Sequence, residues 1–158
     1  MSHPSKRALS RLRFVALLAG LAGPAAALSA CDTRVGAEAA QGFLLDRLEI
    51  DTQAAQKAAE THTSPVFPCR AILATVASFK NAGPDTRARI NHAKLICHDG
   101  AVVFARALIA RLEAARRARE DLVEECFDLE HALEILVALN KDDPLLPPLV
   151  AKRKQLCP

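Results

Sequence analysis

The sequence predicts an all-α fold, an antiparallel bundle of four to five helices with one long helix and with helical hairpins joined by disulfides. Apolar residues recur at the three- and four-residue spacing of helices, and no alternating run of useful length indicates a strand. Gly and Pro fall mainly in short strings that separate the apolar segments. Two of those strings lie midway between pairs of cysteines, as the turns of two hairpins would.

The first segment of the chain has the layout of a secretory signal peptide. Basic residues without any acid precede an apolar run from Phe14 to Ala22, and small residues follow Pro24. An uncleaved membrane anchor is the alternative, but the stretch from Phe14 to Ala30 has only 17 residues, many of them Ala or Gly. We therefore expect residues 1–30 to be removed on export.

The end of this segment reads Leu28-Ser29-Ala30-Cys31. It resembles the lipobox of bacterial lipoproteins, which implies that the Cys31 thiol carries a diacylglyceryl group and becomes the mature N-terminus. An exported protein follows from that resemblance, anchored by lipid to the inner or outer membrane and facing the periplasm. The resemblance ends at Cys31, and the sequence does not identify the family of the domain beyond it.

Residues 31–42 are small and polar and predict a tether, followed by a helical domain over 43–158. A first helix is expected from about Ala37 to Glu60, with Leu44 and Leu48 on a narrow apolar stripe. That stripe is compatible with packing on the bundle or with a stalk that extends away from it.

A second helix is predicted to start at Pro68, because proline lacks only an N–H that the first turn does not use. The third is expected to begin at Asp85-Thr86 with a side-chain cap and to run to about His98. Asp99-Gly100 then predicts its end, since glycine commonly follows the last residue of a helix.

Between Ala101 and Leu139 there is neither Gly nor Pro, which predicts one long helix. Arg119 interrupts its seven-residue repeat, so a kink near Arg116–Asp121 is the alternative. A closing helix from Pro147 to Leu156 is expected to return along it. The members of the repeat are Leu108, Leu112, Ala115, Leu122, Cys126, Leu129, Leu133 and Leu136.

Cysteine usage agrees with export. Lipid on Cys31 would leave an even set, as expected for structural disulfides in an oxidising compartment. The string Asn-Ala-Gly-Pro-Asp lies midway between Cys69 and Cys97, and Asn-Lys-Asp-Asp-Pro lies nearly midway between Cys126 and Cys157. Of the three possible connectivities, we predict these two pairs. A metal site or a redox pair is the alternative, although no Cys-x-x-Cys motif occurs.

The charge balance argues against a nucleic-acid partner. The full chain has 21 Lys+Arg and 18 Asp+Glu, but residues 1–30 contain four of the basic residues and no acid. The mature chain would therefore have 17 basic against 18 acidic residues, without the sustained basic surface that nucleic acids require. It also lacks Trp and Tyr, which leaves few rings for base stacking.

No catalytic constellation is recognisable, and we predict no enzyme, no cofactor and no metal site. His92 and His98 are six residues apart and point to different helix faces, unlike the i, i+4 pair of a helical zinc site. Ser64 and Ser78 lie in no nucleophile-elbow motif.

The predicted long helix is basic in its first half and acidic in its second. Local ion pairs on a solvated helix are the simplest interpretation. Docking of an oppositely patterned partner through Arg116, Arg117 and Arg119, or of an antiparallel copy of the chain, is the functional one. The arginine half could also face anionic lipid.

These features predict a membrane-anchored envelope lipoprotein that acts as a non-enzymatic binding protein of immunity, exclusion or accessory-subunit type. A self-associating structural protein of the envelope, a possible homo-oligomer, is the alternative. A weaker alternative is a metal or ligand chaperone that uses His and Cys side chains, which would need free thiols.

Overall fold

A computed structural model describes residues 25–118 and 122–157 of the chain. This part contains five helices and no strand, which confirms the predicted all-α fold class. The helices are α1 (Ala25–Glu60), α2 (Val66–Ser78), α3 (Pro84–Ala118), α4 (Val123–Leu139) and α5 (Leu146–Leu156).

The chain divides into two units, Met1–Gly36 and Ala37–Pro158. In the first unit the described residues, 25–36, are the helical beginning of α1. The range 31–42 assigned to a tether is therefore helical. All of the packing described below lies within the second unit.

The second unit includes the end of α1, which packs on the other helices. Leu48 and Ala55 are 2% and 1% exposed, so this part of the helix is not a free stalk. The helix ends in a Schellman motif, in which the N–H groups of His62 and Thr63 donate to the carbonyls of Ala59 and Ala58. His62 adopts the left-handed backbone conformation that this motif requires, with φ of 54°.

A buried disulfide joins α2 to α3. Cys69 and Cys97 are both 0% exposed, and their Cα atoms lie 5.5 Å apart. The helix α2 starts at Val66, two residues before the predicted Pro68, which still falls in the first turn. The turn between the two helices lies where the sequence predicts it.

The predicted helix end at Asp99-Gly100 is wrong, because α3 continues through both residues to Ala118. Gly100 is buried where α3 meets the end of α1. A Cβ atom placed on it would lie 3.6 Å from the Cβ of Pro65 and 3.7 Å from that of Ala59. The glycine therefore lies inside a helix contact that has room for a methyl group, and it does not end the helix.

The single long helix predicted over 101–139 is also wrong. The helix α3 ends at Ala118 and α4 begins at Val123. Instead of continuing, α4 reverses direction and packs along α3, as the 3.3 Å contact between Arg111 and Glu125 shows. The alternative, a kink near 116–121, located the interruption but not the reversal. Residues 119–121 lie outside the described part of the chain.

The closing helix α5 returns along α4, and Pro147 falls in its first turn as expected. Cys126 and Cys157 form the second disulfide, with their Cα atoms 5.7 Å apart. The disulfides are therefore the two pairs that the turn strings predict. The core between α3, α4 and α5 includes Ala105, Leu108, Leu112, Leu129, Ala132, Leu136, Leu149 and Leu156.

Two further findings concern the disulfides and the apolar character of the described helices. Disulfides persist in oxidising compartments, so these two are compatible with an exported protein. None of the described helices combines the length and the apolar character needed to cross a bilayer.

Candidate functional site

Helix α4 carries two apolar stripes, and only one of them is buried. The buried stripe includes Leu129 and Leu136, both fully enclosed by α3 and α5. The second stripe contains Val123, Phe127 and Val137, which are 74%, 61% and 50% exposed. At 100° per residue its members share one side of the helix with two glutamates and an alanine. We call this surface the α4 outer face: Val123, Phe127, Glu130, Glu134, Val137 and Ala138.

The ring of Phe127 has a defined neighbour on the next turn. It lies 4.1 Å from the His131 ring, measured between centroids, at a tilt of 45°. His131 is itself held by a 2.9 Å hydrogen bond between its Nδ1 and the carbonyl of Phe127. An exposed aromatic side chain restrained in this way loses little rotamer freedom when a partner covers it.

Ion pairs flank the middle of the α4 outer face on both sides. Arg153 of α5 donates to Glu130 at 2.8 Å, and Arg70 of α2 donates to Glu134 at 2.7 Å. The glutamate side chains are 52% and 56% exposed, so each pair adds little to stability. Their main effect is to leave the centre of the face polar but without net charge.

A groove of about 390 Å³ runs between α4 and α5 at the C-terminal end of this face. Leu133, Val137, Ala138 and Val150 form its apolar lining, and Glu130 and Arg153 lie at its edge. It is a shallow depression that is open to solvent over most of its area. The groove is therefore suited to an apolar side chain that enters beside the ion pair.

A second polar cluster holds the loop between α4 and α5 against α3. His98 donates from Nδ1 to Asp99 at 3.0 Å and from Nε2 to Asp143. Because both acceptors are carboxylates, the ring must be doubly protonated to make both bonds. Asp143, only 6% exposed, also accepts the backbone N–H of Leu145 at 2.8 Å, just before α5 begins.

The cluster shifts the pKa values of its members in opposite directions. The hydrogen bond to Asp99, together with the bond and the charge of Asp143, raises the pKa of His98 above its usual 6.5, although partial burial opposes the change. The backbone N–H of Leu145, followed by the bond from His98, lowers the pKa of Asp143. Each shift favours the charged form, so the ion pair between His98 and Asp143 holds the loop between α4 and α5 against α3.

The arginines predicted to bind a partner are placed at the end of α3. Arg116 donates to the carbonyl of Gln155 at 3.0 Å, and the charge of Arg117 acts on Glu113, which Lys152 contacts at 2.6 Å. Arg119 lies outside the described residues. With α4 folded back on α3, the basic and acidic segments face each other instead of following in line. A role for these arginines in partner binding stays a prediction.

The structure describes four of the five predicted cysteine positions, and it leaves the lipid on Cys31 untested. Cys69, Cys97, Cys126 and Cys157 are all in disulfides and offer no free thiol to a metal or ligand. Within the described part of the chain, no three His, Cys, Asp or Glu side chains are grouped to hold a metal ion. Residues 1–24 of the predicted signal peptide lie outside the described residues. The side chain of Cys31 is likewise not described, so its lipid stays a prediction.

Comparison of the chain with protein-family models, with curated proteins and with solved structures finds no match. The candidate site therefore depends on its geometry alone. Sequence reasoning missed the α4 outer face, although a signal was present. Val123 and Phe127 each follow a member of the predicted core repeat by one residue, which is the mark of a second stripe beside the first. The partner of His98 carried no such signal, because Asp143 is 45 residues away.

Proposed function

We propose that the chain is a lipid-anchored protein of the bacterial envelope, and that its helical domain acts by binding another protein rather than by catalysis. The observation that supports binding is the α4 outer face. Large exposed apolar side chains at helical spacing, next to an apolar groove, are the usual composition of a protein-contact surface. Partners of immunity, exclusion or accessory-subunit type fit such a protein.

Two further features support the proposal. Both disulfides join neighbouring helices, so the face is presented on a constrained frame that changes little on binding. The lipobox resemblance at Cys31 supports anchoring. Because the lipid would be attached near the N-terminus, the helices that form the face would remain free in the periplasm.

Anchoring is tested by the intact mass of the full chain extracted from membranes, alkylated with and without prior reduction. We expect residues 31–158 plus lipid, with four alkyl groups gained only after reduction. A matched Cys31→Ala chain should lack the lipid mass. Retention of residues 1–30 in the wild type would contradict the lipoprotein assignment, and four free thiols would contradict an oxidising compartment.

Binding is tested by native electrophoresis of the full chain released from membranes in a mild detergent. We expect the wild type in a species larger than one chain, and we expect a Phe127→Ser, Val137→Ser double variant to lose that species. The matched control is Phe43→Ser with Ile50→Ser, two side chains of α1 that are 70% and 59% exposed. A wild type that migrates as one chain, even when the membranes are treated with a chemical crosslinker before release, would show that the binding proposal is wrong.

A further inference from the structure

We infer that the protein that covers the α4 outer face is a second copy of this chain, with its own α4 antiparallel to the first. This inference rests on the proposed function in one respect, which is that the face is a contact surface. It adds the identity and the orientation of the partner.

The spacing of the face suits a helix partner. Its successive members are four, three, four and three residues apart from Val123 to Val137, which is the spacing of a two-helix heptad contact, with the glutamates Glu130 and Glu134 at its two central positions. A twofold axis that crosses the α4 outer face at the level of residue 132 would place Phe127 of one copy against Val137 of the second copy. It would also place Glu130 beside Glu134 of the second copy. The four central positions of the face therefore match themselves when reversed, whereas Val123 lies beyond the paired length, opposite residue 141 of the loop that follows α4.

The shape of the face favours the antiparallel orientation over the parallel one. Its N-terminal end carries the protruding Phe127 ring, and its C-terminal end carries the groove beside Val137 and Val150. Antiparallel pairing brings each ring to the groove of the other copy, twice in one interface. Parallel pairing would set ring against ring and groove against groove, and it would also align the two helix dipoles unfavourably.

The charges favour a second copy over a strongly charged partner. Because Arg153 and Arg70 neutralise Glu130 and Glu134, the centre of the face attracts neither an acidic nor a basic helix strongly. A second copy meets it with the same neutral centre. Each arginine has further N–H donors in its guanidinium group, which can reach the carboxylates of the facing copy.

The size of the face sets the strength of the association. From Val123 to Ala138 the helix rises about 22 Å, and its width is about 10 Å. Even with the groove, the area falls below the roughly 800 Å² per partner of a standard interface. The dimer should therefore be weak in dilute solution and favoured on a membrane, where a lipid anchor raises the local concentration.

The test is photo-crosslinking in intact membranes with the full chain. Benzoyl-phenylalanine replaces Phe127 in one variant and Phe43 in the control, since both rings are exposed and neither change disturbs the core. We expect the Phe127 variant to give an adduct of twice the chain mass, linked to the peptide that contains Val137 or Val150 of the second copy. The Phe43 variant should not give this linkage.

A second variant adds a quantitative readout. Val137→Glu places an unpaired carboxylate in the groove, where loss of a central contact costs about thirtyfold in affinity, so the adduct from position 127 should nearly disappear. An adduct with a different protein would overturn the inference and leave the proposed function standing. An adduct with a second copy through another helix would overturn the inference too. No protein adduct from position 127 would overturn both.

Discussion

Replacing Gly100 with alanine should stabilise the protein, although the residue resembles a helix terminator in the sequence. In the structure Gly100 lies inside α3, where alanine is better than glycine by about 1 kcal/mol. The new methyl group would lie 3.6 Å from Pro65 and 3.7 Å from Ala59, at ordinary van der Waals distance. Its burial adds up to about 0.8 kcal/mol. We therefore expect a gain of about 1–2 kcal/mol in the free energy of unfolding.

The gain can be separated into its two parts with Gly42→Ala as the control. Gly42 is exposed in α1, and a Cβ placed there would meet nothing within 4 Å. This variant reports helix propensity alone, so it should gain about 1 kcal/mol or slightly less. The difference between the two variants measures the packing of the added methyl group against the end of α1.

The assay is urea unfolding of the oxidised protein, followed by circular dichroism of the helices because the chain has no Trp or Tyr. An increase in the midpoint at constant slope for both variants would agree with the structure. If Gly100→Ala instead lost about 1 kcal/mol or more while Gly42→Ala gained, Gly100 would have the left-handed conformation of a helix end. The continuity of α3 would then be wrong.

Three further substitutions test other parts of the fold. Replacing His62, which has φ of 54°, with glycine should stabilise the end of α1 by about 0.5–1 kcal/mol, measured by the same urea titration; a loss would contradict the Schellman motif. Since the pKa of His98 is raised, the stability that this residue contributes is fully present below the ordinary pKa and is lost as the pH rises through the raised pKa. We therefore expect His98→Gln to lower the melting temperature at about pH 6, and we expect the melting temperatures of the variant and the wild type to become equal at alkaline pH. The pKa of Asp143 is lowered, so the stability that its carboxylate contributes is lost only as the pH falls through that lowered value. Equal melting temperatures for His98→Gln and the wild type at about pH 6 would show that the charged His98–Asp143 contact does not stabilise the loop. Replacing Cys126 and Cys157 with serine should cost about 3–4 kcal/mol, because the bond closes a loop of 31 residues; an unchanged urea midpoint would show that the bond does not constrain the unfolded chain.

The sequence predicts the fold best where a local signal and the tertiary packing agree. Pro147 opens α5 because its missing N–H costs nothing in a first turn, and packing does not oppose it. The turn strings between the cysteine pairs locate both hairpins for a similar reason. Each contains residues that favour turns, and the disulfide closes the hairpin on the same geometry.

The failures arise where tertiary contacts override the local signal. Asp99-Gly100 has the composition of a helix end, but packing of this segment against Ala59 and Pro65 keeps it helical in the middle of α3. The reversal between α3 and α4 shows the converse case. There Ala118 is followed by Arg119, with neither Gly nor Pro to mark a turn, so only the interrupted repeat indicated it. The α4 outer face depends on which side of the helix α3 covers, which periodicity alone does not determine.

The different burial of the two disulfides predicts a difference in when each bond can form and exchange. Cys69 and Cys97 are enclosed completely, so an oxidant must reach both thiols before α1, α2 and α3 close around them. Cys126 is only half-buried, although Cys157 is 5% exposed, so we expect any thiol exchange in the folded protein to occur at Cys126. We therefore expect the Cys69–Cys97 bond to form before the helices pack and to resist exchange afterwards. The Cys126–Cys157 bond is expected to be the more exchangeable of the two in the folded protein.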